Sequence, residues 1–582
     1  MTSKIKFIFN RLKSPSFGGV WGGLVLLCGS AHAQTAIDIE NIPNTFKANK
    51  WLRINGNVAA SAIHTGGNAA SNLRSPFLWN LNANVNANIF GQINLPFSLN
   101  ITDVGTQYTH PVAPTRLSLM PTYKWITAYI GDANMTFSPY TLNGHLFRGL
   151  GVQVRPNDAL QLSVMYGRFQ KAVPYDSLNR SLVASYKRMG YGANIELKKE
   201  KYNVGVSFFG AKDEMNSLTN LPDSIPIQPK QNIAASIHGG VKLNNGLELT
   251  AEYGTSILTE DLRAANTDEK NILKEIMPNK TSTHYFHALK AGLNYTYKTS
   301  SVGIGYERVD PNYQTLGAYY FVNDVENITI NLAQSLFKEK AKLNANLGFQ
   351  KDDLDGNKAS TNKRVVGSAS LNYTPSEKVM LDLSYSNFQT YMNIKPQAIQ
   401  DTISLQPVDT LNFTQIAQNA TANINYTISS NKQYSHVLSL MLSFQDAADK
   451  QGGILSRGNG SQFYNAMLSY TLNLVPQHIN ISAGVNTSYN TIGRNDFMML
   501  SPRLGLNSRL WKDKINLNGS ASYNISTASG AQQVNIFNIR AQAAYTLLKK
   551  HQIGLSINTQ SKNSTTIHAT DVITMLNYSY GF

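Results

Sequence analysis

Residues 79–89 read Trp-Asn-Leu-Asn-Ala-Asn-Val-Asn-Ala-Asn-Ile, with an apolar residue at every odd position. Only an extended strand sends successive side chains to opposite faces, so this segment predicts one apolar face and one amide face. A helix is disfavoured, because asparagine is a poor helix former. Such a strand fits either a half-buried sheet of a soluble protein or the wall of a membrane barrel. The amide face consists of Asn80, Asn82, Asn84, Asn86 and Asn88.

The beginning of the chain favours the barrel, because it has the features of an export signal. A segment with four basic residues, 4–13, precedes the apolar segment 17–29. Ala31-His32-Ala33 then supplies a small-x-small cleavage site. We therefore expect residues 1–33 to be a signal peptide, followed by a short periplasmic segment, 34–50.

The composition agrees with an exported protein that has long, uncharged polar strands. Charged residues make up only 15%, and the formal net charge is +16. The one cysteine, Cys28, lies within the predicted signal peptide, so we expect no disulfide bond in the mature chain. No later stretch has the roughly 20 apolar residues that a membrane-spanning helix needs. No linker or change in composition divides residues 51–582, so we predict a single all-β domain.

The alternating pattern of 79–89 recurs along the chain. Clear copies are 420–428, 479–490, 515–525 and 553–559. In the second copy, Asn480 and Asn486 lie on the polar face. We therefore expect these two residues and the amides of 80–88 to face the interior of one barrel, the lumen.

Short turns and longer connections alternate between the predicted strands, as in outer-membrane barrels with short periplasmic turns and longer extracellular loops. Twelve turns and about thirteen loops predict a transmembrane antiparallel up-and-down β-barrel of about 26 strands, within a range of roughly 22 to 28. An even number places both ends in the periplasm. The predicted loops are 65–76, 104–114, 132–145, 170–179, 213–230, 259–283, 311–325, 353–362, 392–411, 447–460, 491–497, 526–533 and 563–570.

The last residues of the chain have the pattern of an insertion signal. Aromatic residues occupy alternate positions at Tyr578, Tyr580 and Phe582. This ending looks like the C-terminal signal by which the outer-membrane barrel assembly machinery recognises its clients. We therefore expect that machinery to be a partner during biogenesis.

The chain resembles the large outer-membrane β-barrels of the Bacteroidota over essentially its whole mature length. The resemblance depends on Ala31-His32-Ala33-Gln34, on Phe137-Ser138-Pro139-Tyr140-Thr141-Leu142 with Arg148-Gly149-Leu150-Gly151, and on the ending Tyr578-Ser579-Tyr580-Gly581-Phe582. It implies an integral protein of the cell outer membrane, in contact with lipid and lipopolysaccharide. The chain departs from the TonB-dependent transporters of that phylum, because 34–50 is too short for a plug domain.

The loop 259–283 contains a predicted amphipathic helix. Thr267 can cap it, and Pro278 follows its end. The helix could fold into the lumen as a constriction, lie on the rim, or receive a partner. Its apolar side chains are Ile272, Leu273, Ile276 and Met277.

The loop 311–325 is unusually aromatic for a segment that faces water. It includes Tyr313, Tyr319 and Tyr320. Exposed aromatic side chains often mark a binding surface. The alternative is that they fold inward against neighbouring loops.

Metal sites and catalytic motifs give weak signals. Asp352, Asp353 and Asp355 suggest a calcium loop, but Gly356 is misplaced for an EF-hand and Arg364 stands where its bidentate glutamate should be. An ordinary acidic turn is the preferred interpretation. No motif of a hydrolase, zinc protease or phosphate-binding loop occurs. We therefore expect no metal, no cofactor and no enzyme activity.

A barrel of about 26 strands encloses a lumen too wide for its own inward side chains to fill. The lumen must then be narrowed by loops or occupied by another protein. The first case predicts a porin-like or gated channel for hydrophilic solutes. The second predicts a subunit of a secretion, surface-assembly or uptake complex, closed by a periplasmic or outer-membrane protein. An outer-membrane enzyme is the third alternative, and no nucleic-acid partner is expected.

Overall fold

The structure is a computed structural model that describes most of the chain after residue 50. The predicted signal peptide, the segment 34–50 and most of the predicted helix in 267–278 lie outside the described residues. The description covers 51–582 except 69–75, 104–114, 178–183, 219–220, 223–224, 244–245, 268–276, 278, 358–362, 388, 391–413, 452–453, 493–494, 530 and 565–567.

The described chain is almost entirely β-strand. The strands of the first third are β1 (Leu52–Gly67), β2 (Phe77–Ile89), β3 (Ile93–Thr102), β4 (Arg116–Leu119), β5 (Thr122–Tyr123), β6 (Ile126–Thr136), β7 (Asn143–Asn157), β8 (Leu160–Gln170), β9 (Arg188–Lys198) and β10 (Tyr202–Asp213). The next are β11 (Gln231–Lys242), β12 (Leu247–Thr259), β13 (Thr283–Tyr297), β14 (Ser300–Val309), β15 (Val325–Leu336), β16 (Ala341–Lys351), β17 (Lys363–Ser376), β18 (Val379–Ser386) and β19 (Gln389–Thr390). The last are β20 (Thr414–Ser430), β21 (Tyr434–Gln451), β22 (Ile454–Leu474), β23 (Ile479–Ile492), β24 (Asn495–Leu510), β25 (Ile515–Ala528), β26 (Ala531–Leu547), β27 (His551–Asn563) and β28 (His568–Gly581).

These segments form one closed antiparallel barrel of 26 strands, as predicted. The short β4 and β5 together make up one barrel strand between β3 and β6. In the same way, β18 and β19 both pair with β20. The barrel closes between its first and last strands, where Asn57 is opposite Gly581 and Gly67 is opposite Asp571. Closure leaves no exposed sheet edge.

Tight turns join the strands at one end of the barrel, which we call the turn end. Several turns place non-glycine residues at positive φ, including Phe337, Lys338, Glu339, Trp511 and Lys512. Positive φ is the conformation that matches the twist of a two-stranded hairpin. The opposite end, the loop end, carries the other connections, most of which are longer. The predicted alternation of short and long connections is therefore correct from β1 to β20. It is wrong for β21–β22, β23–β24 and β25–β26, whose bounds leave only 452–453, 493–494 and 529–530 between the strands.

Several predicted loops have different bounds in the structure. The loop predicted at 132–145 is only 137–142, because β6 continues to Thr136 and β7 begins at Asn143. The loop predicted at 170–179 extends over 171–187. The loop predicted at 447–460 is mostly strand, because β21 reaches Gln451 and β22 begins at Ile454. The loops predicted at 491–497 and 526–533 also shorten, because β23 reaches Ile492 and β25 reaches Ala528. Strands that continue beyond an apolar band no longer alternate, so side-chain polarity ended these strands too early. The loop predicted at 170–179 was instead predicted too short.

Each barrel strand has one apolar and one polar face. We call the side that carries Leu81 and Val85 the apolar face, and the side that carries Asn82 and Asn84 the polar face. The register extends both faces around the barrel, because Val85 is opposite Gly56 and Phe97, whereas Asn82 is opposite Ala59 and Asn100. Exposed residues of the apolar face include Leu150, Val164, Ile195, Ile237, Ile304, Leu347, Leu504 and Leu576.

The described residues contain no α-helix, and a short 3-10 turn occurs at Met215–Ser217. None of the described helical segments is long and apolar enough to cross a membrane. The large buried cluster of the molecule lies on the polar face of β6 to β15, where it includes Phe147, Phe209 and Val325.

Candidate functional site: a loop cluster on the concave polar face

Two connections from the loop end pack together on the polar face. They are 137–142, between β6 and β7, and 310–324, between β14 and β15. We call these two segments the loop cluster. Tyr140 and Tyr313 meet edge to face at 6.1 Å, and Tyr313 stacks on Phe321 at 4.7 Å. Tyr313 is fully buried and Tyr140 almost fully. Aromatic pairs at these distances contribute packing energy beyond the burial of area.

Hydrogen bonds hold the two segments to each other. The Tyr313 hydroxyl donates to the Tyr140 carbonyl oxygen at 2.8 Å. The Thr315 hydroxyl donates to the Thr141 carbonyl oxygen at 2.8 Å. The Asn143 amide donates to the Gly317 carbonyl oxygen at 2.9 Å. The backbone of one loop is therefore satisfied by the other, as buried peptide groups require.

Two carboxylates anchor the loop cluster to the barrel wall. The Tyr140 hydroxyl donates to Glu307 Oε1 on β14 at 3.0 Å. The Ser138 hydroxyl donates to Glu252 Oε1, about halfway along β12. Lys290 Nζ on β13 lies 3.8 Å from Glu307 Oε1. Hydrogen bonds to ionised acceptors are stronger than neutral ones.

Buried polar groups on neighbouring strands complete the contact with the wall. Thr141 Oγ1 lies 2.9 Å from Ser207 Oγ on β10, which lies 2.8 Å from Ser236 Oγ on β11. The Leu316 amide donates to Asn232 Oδ1 at 3.0 Å. The Ser256 hydroxyl donates to the Gln314 carbonyl oxygen at 2.6 Å. These contacts place the loops against the wall itself.

Two glycines permit this close approach. An added Cβ at Gly254 on β12 would lie 2.6 Å from Tyr140 Cβ. An added Cβ at Gly317 would lie 2.6 Å from the Thr141 carbonyl oxygen. Both distances are far shorter than an ordinary van der Waals contact. A side chain at either position would therefore displace the loop cluster.

The strands that contact the loop cluster show that the polar face is the inner one. Phe147 on β7, Phe169 on β8, Phe209 on β10, Phe286 on β13 and Val309 on β14 belong to one buried cluster with the two loops. Side chains from so many neighbouring strands can converge only on the concave side of a curved sheet. The apolar face is therefore the outer, convex surface.

Burial changes the acidity of the two central tyrosines. Burial, followed by the negative charge of Glu307, raises the pKa of Tyr140 far above its ordinary value. Burial, followed by the charge of Glu252, raises the pKa of Tyr313 in the same direction. Both causes penalise the phenolate. Tyr140 therefore remains a neutral donor to Glu307 throughout the physiological range.

The rest of the polar face differs from this region. We call the polar face of β6 to β15 the loop-covered arc, and that of β16 to β28 and β1 to β3 the amide-lined arc. No described residue of the amide-lined arc belongs to a buried apolar cluster. Its hydrogen bonds link strand to strand, as between the hydroxyls of Ser384 and Thr421 at 2.6 Å, or from Ser439 to Asn425 at 2.6 Å.

The structure places the predicted loop residues at different positions. Tyr313 lies in the loop cluster. Tyr319 stacks on His145 at 3.9 Å and is half exposed, and Tyr320 is more exposed. Met277 is fully buried against Ile233 and Ile257. These two isoleucines lie on the apolar face, so Met277 packs on the outer side of the barrel and not with Tyr313. Ile272, Leu273 and Ile276 lie outside the described residues.

The other predicted site residues are dispersed. The amides of Asp353 and Leu354 donate to the Asp324 carboxylate at 3.1 and 2.8 Å, so Asp324 caps the acidic turn. Asp355 accepts from Asn357. No group of three or more potential metal ligands occurs among the described residues. Asn80 to Asn88, Asn480 and Asn486 lie on the polar face of the amide-lined arc.

The C-terminal aromatic residues lie beside the closing seam. Tyr578 and Tyr580 share the apolar face of β28, and His551 Nδ1 lies 2.8 Å from the Tyr578 hydroxyl. Phe582 exchanges two backbone hydrogen bonds with Gly56, at 2.9 and 3.0 Å. Their role as an insertion signal remains a prediction.

Sequence reasoning missed the carboxylates and the partner loop. Glu252 and Glu307 were not selected, and 137–142 served only as a mark of resemblance. Their contacts join residues more than a hundred positions apart. A glycine inside a strand, at Gly254, was the one local signal, since such a glycine often marks a close backbone approach.

Comparisons with known proteins found low similarity to solved structures. No family model matches the chain, and no curated protein matches its sequence. The translocation pore of the P pilus usher PapC is 11% identical, with a TM-score of 0.39, over 91% of this chain and 99% of that one. The Pseudomonas aeruginosa ferric enterobactin receptor PfeA is 9% identical, with a TM-score of 0.42, over 91% and 80%. Acinetobacter baumannii OccAB3 is 9% identical, with a TM-score of 0.29, over 66% and 98%. Similarities this low do not bear on function.

Proposed function

We propose that this protein is an outer-membrane channel for hydrophilic solutes, with a lumen narrowed by the loop cluster. The conduit follows the amide-lined arc. The observation that carries the proposal is the uneven covering of the concave polar face: the loops are anchored on β6 to β15, and no described apolar cluster covers the remaining strands.

The width of the barrel makes a narrowing element necessary. Strands about 4.8 Å apart and tilted by about 40° would give a circular barrel of 26 strands a diameter of roughly 50 Å. Inward side chains cannot fill that width. An open hole of this size would abolish the permeability barrier of a membrane. The loop cluster narrows the open cross-section of the lumen from one side only.

The convex surface suits a lipid environment. Its exposed residues are mainly leucine, isoleucine, valine and tyrosine around the whole barrel. A contiguous apolar surface of that extent is unusual on a soluble protein. It is the outward apolar band expected of a transmembrane barrel. We propose that residues 1–33 are an export signal, which the chain needs in order to reach that membrane.

The test is electrical. The purified full chain is added to a planar lipid bilayer under an applied voltage. A channel narrowed on one side predicts stable single-channel steps that scale with electrolyte conductivity. Pure, folded protein that inserts into the bilayer but gives no current would refute the channel.

The same uneven covering supports a second candidate, a barrel subunit whose lumen is closed by another protein. The amide-lined arc offers many hydrogen-bonding groups to such a partner. Tyr319 and Tyr320 of the loop cluster are 45% and 56% exposed, so they are available to contact it. This candidate predicts that extraction in mild detergent retains a second protein in fixed ratio to the barrel, and that the purified barrel alone does not conduct.

A further inference from the structure

The amide-lined arc carries a pair of arginines in the middle of the barrel wall. Arg503 is near the centre of β24 (Asn495–Leu510), and Arg540 is near the centre of β26 (Ala531–Leu547). Arg503 is as many residues from Leu510, the turn-end residue of β24, as Arg540 is from Leu547, the turn-end residue of β26. The two side chains therefore lie at the same height in the barrel.

The register places both arginines on the polar face. Arg503 is opposite Ser522 on the intervening strand β25, and Arg540 is opposite Ser520 of the same strand. Ser520 and Ser522 are two residues apart and share a face. Leu504 and Ile539, the neighbours of the arginines in sequence, belong to the exposed apolar face. The arginines therefore point toward the concave side.

The distance between Arg503 and Arg540 allows both guanidinium groups to bind one solute. Two strand spacings of about 4.8 Å and two residues of about 3.4 Å give roughly 12 Å between the Cα atoms. Gly484 is opposite Arg503, and Gly505 follows on the same face of β24. Because these neighbours have no side chain, Arg503 has room to extend, and it is exposed.

The other described charged side chains of the polar face lie away from this arginine pair or are bonded to the loops. Other described charged side chains in the amide-lined arc lie within four residues of a strand end. Examples are Arg53, Lys342 and Asp571. In the loop-covered arc, Glu252 and Glu307 bond the loops, and Lys290 lies beside Glu307. The middle of the amide-lined arc is therefore positively charged.

From this geometry we infer that Arg503 and Arg540 form a binding site for small oxyanions, carboxylates or phosphates, within the proposed conduit. The inference rests on the proposed channel for its role in transport, but the binding site itself does not require current to flow. Guanidinium groups bind carboxylate and phosphate oxygens in bidentate fashion, and cationic side chains lining a pore favour anions.

The direct test is calorimetric titration of the detergent-solubilised full chain with inorganic phosphate and, separately, with succinate. We expect saturable binding of at least one, weakened roughly tenfold by Arg503→Gln or by Arg540→Gln. The matched control is Arg168→Gln, which neutralises an arginine on the apolar face of β8. The tighter of the two anions identifies the oxyanion class. No binding to the unaltered chain, or equal binding to the double variant, would overturn the site.

The second test is the reversal potential under a potassium chloride gradient in a planar bilayer. The unaltered chain should prefer chloride, the double glutamine variant should lose that preference, and Arg503→Glu with Arg540→Glu should prefer potassium. A preference that does not change would overturn the site's role in selectivity. Oxyanion binding without any current would instead refute the proposed channel and keep the site.

Discussion

The two arcs of the polar face are built from the same kind of strand and differ in what their polar groups bond. In the loop-covered arc, Ser207 is fully buried between Thr141 of a loop and Ser236 of the next strand. In the amide-lined arc, Ser384 is exposed and bonds Thr421 of the neighbouring strand. The alternating pattern of the strands therefore does not decide which part of a wide lumen is filled. The side chains that bind particular loops decide it.

The anchors differ in kind from the residues of the amide-lined arc. Glu252 and Glu307 hold hydroxyl donors of the loop cluster, and aromatic side chains such as Phe147 and Phe209 supply its apolar base. The amide-lined arc presents neutral amides and hydroxyls at corresponding heights, interrupted by the arginine pair.

Deleting the second loop should have the largest effect. Replacing 311–323 by a short Gly-Ser linker removes Tyr313, Thr315 and Leu316, and so the main contacts of 137–142. The covered side of the lumen would then open, and we expect single-channel conductance to rise about twofold or more. Replacing 354–357 by a Gly-Ser linker of equal length is the control, and it should leave conductance unchanged. Equal conductance in both variants would mean that the loop cluster does not narrow the conduit.

A single truncation should loosen the cluster without removing it. Tyr313→Ala deletes a fully buried ring and its hydrogen bond to Tyr140, which typically costs about 3–5 kcal/mol. Limited proteolysis of the folded protein should then cleave within the loops much faster. Tyr523→Ala, which removes an exposed ring from the apolar face, is the control. Unchanged cleavage in Tyr313→Ala would show that the loops are held by other contacts.

Two tyrosine–carboxylate pairs allow a matched comparison. Tyr140 donates to Glu307 on the polar face at 3.0 Å, and Tyr306 donates to Glu326 on the apolar face at 2.9 Å. Glu307→Gln should weaken loop docking by about 1 kcal/mol, because a neutral acceptor replaces a partly exposed carboxylate. Glu326→Gln should leave docking unchanged. The populations of cleaved loop in the two variants measure the difference, and equal populations would remove Glu307 from the set of anchors.

The smallest effect concerns pH. Because the pKa values of Tyr140 and Tyr313 are raised, the folded state favours the protonated phenols. Their contribution to stability is fully present below the ordinary tyrosine pKa of about 10, and it is lost only as the pH rises through the raised values. The tyrosines that titrate late in phenolate absorbance should therefore include Tyr140 and Tyr313. They should be absent from the Tyr140→Phe, Tyr313→Phe variant, and a titration identical to the unaltered chain would contradict this assignment.

The barrel could be predicted from sequence because its signal is local and repeated. The alternation in 79–89 lies within β2 (Phe77–Ile89), and turn chemistry placed the short connections. The loop cluster could not be predicted in the same way. Tyr140 gives no sign in its own neighbourhood that Glu307 will accept its hydrogen bond, since that contact forms only when the sheet curves. The aromatic content of 311–325 indicated an unusual loop, but inward packing and partner binding remained equal alternatives.

Met277, on the outer side of the barrel, also shows that the sequence does not reveal which surface a loop packs against. Its amphipathic segment fitted the lumen, the rim or a partner equally well in sequence. In the structure Met277 packs on Ile233 and Ile257 of the apolar face. Hydrophobic periodicity specifies that a side chain will be buried, but not which face of a curved wall will bury it.

Water accessibility of single cysteines, in a Cys28→Ala background and in protein reconstituted into lipid vesicles, tests directly whether the lumen is filled on one side and open on the other. Asn84→Cys and Asn518→Cys probe the amide-lined arc, Ser207→Cys and Asn232→Cys probe the loop-covered arc, and Leu81→Cys probes the apolar face. A charged, water-soluble maleimide should label the first pair at least about tenfold faster than the other three. Similar rates at Asn84→Cys and Ser207→Cys would contradict a lumen that is filled on one side and open on the other.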